Sequence, residues 1–158
     1  MSLQSERVKQ LEDKIILKEF AIRTVPRKIK GVITFCEEQG YQKEDAFLAD
    51  CFEWLRVFSP DLVKFIFHVE NEGDSSSEEA RIRGAFSLSK GKLGGVPDVI
   101  CVWNNQLHCA EFKLPGGTLN KNQKEIFPLW TSHGVRIDLI FCFADWKRFI
   151  YKVLDIVC

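Results

Sequence analysis

The chain lacks any apolar run of eighteen or more residues, so no part of it reads as a membrane-spanning helix. Its start, Met1-Ser2-Leu3-Gln4-Ser5-Glu6-Arg7, lacks the pattern of a secretory signal, and a cytosolic protein is expected. Its six cysteines are Cys36, Cys51, Cys101, Cys109, Cys142 and Cys158, and no two of them form a C-x-x-C. That spacing excludes the usual zinc motifs and leaves buried thiols in a reducing compartment as the expectation. No internal repeat, zinc finger or major-groove recognition helix is visible. Net charge is lacking too: 22 Lys and Arg balance 22 Asp and Glu. A neutral chain is a weak argument against nucleic-acid binding.

The charge is nevertheless unevenly spread. Residues 1–32 carry eight basic residues against four acids, 33–79 three against twelve, and 80–158 eleven against six. This fits a basic rim around an acidic pocket filled by a cation, and it equally fits a mixed solvated surface. What the chain does have is apolar bulk: 46% hydrophobic residues with thirteen Phe and four Trp in 158 residues. One domain with a packed core is expected.

Periodicity supplies the elements. Val8, Leu11, Ile15 and Ile16 predict a helix over 5–22, and residues 27–39 a second short one before Gly40. Phe47, Leu48, Cys51, Phe52 and Leu55 make an amphipathic helix over 43–57. A short strand follows at 64–69, then an acidic polar loop at 74–79, with a helix over 78–89. Two strands, 97–103 and 106–114, precede a helix at 119–132 capped by Thr118. A strand at 135–143 and a helix at 145–155 close the chain. The expected class is α/β, a mixed sheet flanked by helices.

The two central strands carry the chemistry. Val99 to Trp103, then Asn104-Asn105, then Gln106 to Ala110 reads as a hairpin with a two-residue turn. Counting outward pairs Trp103 with Gln106, Ile100 with Cys109, and Asp98 with Glu111. Opposite residues share a face, and Lys113 lies two residues beyond Glu111 on that same face. Cys101 and Cys109 fall on opposite faces, and His108 pairs with Cys101, away from Asp98. Two opposed carboxylates repel each other, and a hard divalent cation between them removes that repulsion. A surface acid pair neutralised by Lys113 is the plain alternative. Gly94-Gly95-Val96-Pro97 permits a sharp turn just before Asp98. The apolar character of both strand faces predicts a central hairpin.

Gly95-Val96-Pro97-Asp98, Glu111-Phe112-Lys113 and Gln123 together resemble the PD-(D/E)xK nuclease signature. They are most similar to its VRR-NUC branch, whose small stand-alone members are phage or bacterial nucleases acting like Holliday-junction resolvases. Three further stretches are similar: Glu44 ahead of Trp54-Leu55, Glu70-Asn71-Glu72-Gly73, and Gly134 to Phe143. The likeness spans about residues 41–150. It implies a restriction-endonuclease-like fold, with residues 1–40 as a helical extension packed on a nuclease domain of 41–158. It also implies Mg²⁺ or Mn²⁺ held by Asp98, Glu111 and the backbone carbonyl of Phe112, with Glu44 as a further carboxylate. Lys113 would position or polarise the attacking water, and Gln123 would orient Lys113 or the water.

Each assignment has a plainer counterpart. Glu44 in a first helical turn suits the helix dipole, and Gln123 can be an ordinary exposed helix glutamine. Glu70 and Glu72 are weaker acid candidates, while His68, His108 and His133 look scattered. Lys121, Lys124 and Arg136 are candidates for phosphate contact, which gives affinity without sequence reading. The resemblance implies branched or junction DNA as partner. Junctions are two-fold symmetric, so a homodimer is the natural expectation. A flap-directed, end-directed or restriction-type nuclease, or a non-catalytic DNA-structure-binding module, remains the alternative.

Overall fold

The computed structural model describes residues 2–23, 41, 43–70 and 77–156. Among these residues lie five α-helices: α1 (Leu3–Arg23), α2 (Glu44–Phe58), α3 (Glu78–Ser89), α4 (Lys121–Ser132) and α5 (Phe143–Val153). Four strands form one sheet in the order β1-β2-β3-β4: β1 (Ile66–His68), β2 (Val99–Trp103), β3 (Gln106–Phe112) and β4 (Arg136–Ile140). The hairpin is central, as its two-sided apolar character predicts.

The turn sets the register. Asn104 and Asn105 both have positive φ, 48° and 58°. A type I′ turn requires that conformation, and asparagine tolerates it better than most side chains do. Trp103 therefore meets Gln106, and pairing runs through Ile100 with Cys109 to Val99 with Ala110. β1 joins β2 antiparallel, with His68 opposite Val99. β4 runs parallel to β3, and α4 makes the crossover that a parallel pair needs.

One sheet face is buried by α2 and α5. Ile66, Val99, Cys101, Ala110, Phe112 and Ile140 meet Phe47, Trp54, Trp146 and Phe149 in one cluster. Phe112 sits between two of these rings, 5.2 Å from Phe47 and 5.5 Å from Trp146. Fully burying one large apolar side chain is worth about 1.5–3 kcal/mol, so this cluster fixes the sheet against the helices. α1 adds Leu11 and Ile15 to the same core. It is also tied down by Lys14, whose Nζ lies 2.8 Å from Oδ1 of the buried Asp50. Tyr41 donates to the other oxygen of Asp50 at 2.9 Å.

Several boundaries move. The strand expected at 64–69 is shortened by a 3₁₀ turn at Leu62–Lys64. α4 is capped by Asn120, not Thr118, because Asn120 and Gln123 form a reciprocal capping box. The closing strand ends at Ile140, and Phe143 instead begins α5, buried against Trp54. Trp54 and Asp50 are buried beside the expected stripe of α2. The helix expected at 27–39, Cys36, Glu72 and Cys158 lie outside the described residues. Cys51, Cys101, Cys109 and Cys142 are buried. No helix among the described residues is long and apolar enough to cross a membrane.

Candidate active site

Every strand of the central hairpin contributes to one end of the sheet. β1 and β3 end there, β2 begins there, and the first turns of α2 and α4 face it. Asp98 immediately precedes β2, and Glu111 is the penultimate residue of β3. They interlock through the backbone. The Asp98 N–H donates to Glu111 Oε2 at 3.3 Å, and the Phe112 N–H donates to Asp98 Oδ2 at 2.9 Å. The ladder itself stops at Val99 with Ala110, and these two side-chain hydrogen bonds carry the contact on to the acids.

Glu111 has no solvent exposure, so its charge depends on its partners. Lys113 Nζ lies 2.5 Å from Glu111 Oε1. Gln123 Nε2 donates to that same oxygen at 2.5 Å. Gln123 is itself only 6% exposed, which rules out the reading of it as an exposed helix glutamine. Its other end is fixed as well, since its Oε1 accepts the Asn120 N–H at 3.0 Å. Gln123 therefore orients Glu111 directly.

Glu44 comes to the site from the first turn of α2. Its Oε1 accepts the Leu114 N–H at 3.2 Å, and its Oε2 lies 3.5 Å from Lys113 Nζ. It reaches the acids through the lysine. Three carboxylates thus surround a single ammonium. Burial would lower the pKa of Lys113, but its hydrogen bond to Glu111 and the charges of Glu111, Glu44 and Asp98 outweigh that and hold it above the usual lysine value. Lys113 is therefore a fixed positive charge, unsuited to accept a proton. Burial first, and then repulsion from Glu111, push Asp98 up to about 6, against the opposing pull of the Phe112 N–H and Lys113.

A cleft of about 780 Å³ opens over this end, lined by Lys43, Glu44, His68, Glu70, Asp98 and Phe112 among others. Asp98 is thus the acid reached from solvent, with Glu111 behind it. His68 and Lys43 are cleft residues that the sequence does not single out. The signal for His68 is its place opposite Val99, next to Asp98. That signal depends on a β1–β2 pairing across a long stretch of intervening chain. His108 pairs with Cys101 and is buried, away from the acids. Burial, aided by Arg136, lowers its pKa. Arg136 itself pairs with His108 and so sits some three residues along the sheet from Glu111, roughly 10 Å away. Lys121 and Lys124 lie in the first turn of α4, exposed and near Gln123.

The donors decide which ion fits. Among the described residues, no group of three His, Cys, Asp or Glu side chains is placed to enclose a metal. Asp98 and Glu111 form a two-carboxylate site, and Asp98 ionises less readily than a free aspartate, first because it is buried and then because Glu111 repels it. This suits a hard divalent ion that takes one or two carboxylates and keeps its waters. It does not suit a closed zinc-type cage.

No family model matches the sequence, and no curated protein matches it. Among solved structures, a VRR_NUC domain protein shares the fold, with a TM-score of 0.58 over 73% of this chain and 90% of that one. Identity is 16%, so the likeness establishes the architecture: an α/β, restriction-endonuclease-like mixed sheet flanked by helices.

Proposed function

We propose that the chain is a divalent-metal-dependent, structure-specific DNA endonuclease of the VRR-NUC family, acting on branched DNA such as four-way junctions. The observation that carries this reading is the pair Asp98 and Glu111, interlocked at the mouth of a cleft with Lys113 on the buried acid. A structural ion pair would balance its charges, whereas this one gathers a surplus of carboxylates.

Asp98, Glu111 and the Phe112 carbonyl would hold the ion. N–H and C=O of one strand residue point the same way, so the Phe112 carbonyl faces the side where its N–H meets Asp98. Bound Mg²⁺ or Mn²⁺ would supply an activated water and offset charge on the scissile phosphate. The protein's own groups have separable tasks. Lys113, held protonated, stabilises negative charge building on the phosphate. Gln123 keeps Glu111 in one orientation, since both ends of its amide are engaged. Glu44 gives Lys113 a second carboxylate contact beside that of Glu111.

The resolvase part of this reading rests on symmetry. One chain carries one such site, so paired incisions on opposing strands need two chains, and we propose a homodimer. The test is a panel of end-labelled DNA structures with Mg²⁺, Mn²⁺ or EDTA, run beside light scattering at micromolar concentration. We expect paired symmetric nicks in a four-way junction, weak cutting of linear duplex, no cutting in EDTA, and a dimer mass. Full activity in excess chelator sinks the metal assignment. A monomer that prefers flaps or ends rejects the resolvase reading and leaves the nuclease reading standing.

A further inference from the structure

Helix α3 stands apart from the rest of the fold. It makes at most marginal contact with any other described element. Its large apolar side chains face solvent, with Ile82 64%, Phe86 60% and Leu88 62% exposed. Leu93, in the loop beyond it, is also exposed. A helix that buries no apolar face gains little stability from packing, so this composition needs a reason.

Its charge supplies one. From residue 80 to residue 97 the chain has four basic residues, Arg81, Arg83, Lys90 and Lys92, and no acid. The acids of α3, Glu78 and Glu79, are confined to its first turn. Lys90 holds its Nζ 4.2 Å from the centre of the Phe86 ring. The loop then leads straight into the active site. Gly95 has φ +84°, and a Cβ there would lie 2.7 Å from the backbone carbon of Asn122 in the first turn of α4. Exposed Lys121 and Lys124 lie on that same first turn. Three residues after Gly95 comes Asp98.

We infer that α3 and the loop after it form an arm that binds unpaired nucleotides beside the catalytic carboxylates, with Phe86 stacking on a base and Arg81, Lys90 and Lys92 contacting phosphates. A flat ring beside an ammonium offers, in one place, what a single unpaired nucleotide presents: a base to stack and a phosphate to neutralise. Paired duplex offers the phosphates alone. The inference rests on the nuclease reading and adds to it a contact: a base left unpaired next to the cut, as where the arms of a branched substrate meet and open.

Binding in EDTA, by fluorescence anisotropy with the full-length chain, separates the two readings. The probes are a blunt duplex, the same duplex with a short single-stranded flap, and the flap with 2-aminopurine at its unpaired base. We expect Phe86→Ala to weaken flap binding by roughly 5- to 150-fold, the range of one base–aromatic stack, with duplex binding unchanged. Phe86→Leu, which keeps the helix and the apolar bulk, should behave the same, and Phe86→Trp should restore binding. Wild type should quench 2-aminopurine, and Phe86→Leu should not. Lys90→Ser with Lys92→Ser should weaken both probes and flatten the salt dependence by about one unit of slope for each phosphate no longer neutralised. Wild-type flap binding and quenching in both Phe86→Ala and Phe86→Leu overturns the inference. So does a dimer that falls to monomer in Phe86→Leu without DNA, which would make α3 an interface between copies. Cleavage that still requires Asp98 in either case leaves the nuclease reading intact.

Discussion

Asp50 and Glu111 are both buried carboxylates paired with a lysine, and they differ in everything around that pair. Asp50 has Lys14 and the Tyr41 hydroxyl on its two oxygens. The hydrogen bond to Asp50 raises Lys14 against the cost of burial. Lys14 and Tyr41 bring two further segments of chain to α2, and the charge of Glu53 adds to the pull on the lysine. Glu111 shares its lysine with Glu44 and faces Asp98. The first arrangement serves the fold, because it ties α1 and Tyr41 to α2 at a carboxylate that does not line the cleft. The second leaves negative charge over, at a place open to a cleft. A fold gains nothing from such a surplus, and a cation-dependent reaction does.

Removing one acid from each of the two sites should separate them most widely. Asp98→Asn is expected to remove cleavage by at least about a thousandfold, several kcal/mol of barrier, while raising the melting temperature of the metal-free protein. Asp50→Ala should do the reverse, costing about 2–3 kcal/mol as Lys14 and Tyr41 lose their acceptor. That corresponds to roughly 4–12 °C in a domain of this size, with cleavage retained at temperatures where the chain is folded. Thermal melts in EDTA beside gel assays with Mg²⁺ decide it. A lower midpoint for Asp98→Asn would erase the contrast.

The lysines sharpen the same comparison at smaller scale. Lys113→Ala is expected to lose about 10²- to 10³-fold in turnover, the effect of removing one charge stabiliser, while DNA binding in EDTA survives. Lys14→Ala should leave turnover untouched. Near-normal turnover in Lys113→Ala would make Lys113 a second Lys14. Gln123→Ala, which frees Glu111 to rotate, should cost about 10- to 100-fold in metal affinity or activity. Mn²⁺ titration would show whether the loss lies in ion binding.

Acidity tests the same repulsion without any mutation. Asp98 titrates near 6 in the fold against 3.8 for a free aspartate. The folded state therefore binds the extra proton between those values. Metal-free stability should fall as pH rises from about 4 to 6, then level off. Metal affinity should rise through the same window, because the ion binds the deprotonated acid. Melts in EDTA at stepped pH, with Asp98→Asn as the flat control, would show this slope. A stability that rises over this window in wild type relative to that control contradicts the repulsion described at the site.

The hairpin half of the site was legible in the sequence, because a two-residue asparagine turn and a period of two leave one register. Asp98, Glu111 and Lys113 follow from counting. The burial of Gln123 did not follow, since it depends on how the crossover helix settles against β3, and on Asn120 as the cap in place of Thr118. Asp50 was legible only as a polar position in α2, because its partner Lys14 is 36 residues away. His68 was hidden for the same reason: β1 meets β2 only after a long excursion through α3. Local pattern reached as far as neighbours in the chain, and tertiary pairing supplied the rest.

The amide of Gln123 has one end in a helix cap and the other on the buried acid. During synthesis, Asp98, Glu111 and Lys113 are all made before it. A growing chain can therefore close the hairpin and still have Glu111 free to swing, until the residues that begin α4 have been added. Completing that helix and completing the acid's alignment are one step. On the proposed nuclease reading, a partly made or partly unfolded molecule would lack one of the contacts that align its acids and would cut correspondingly less.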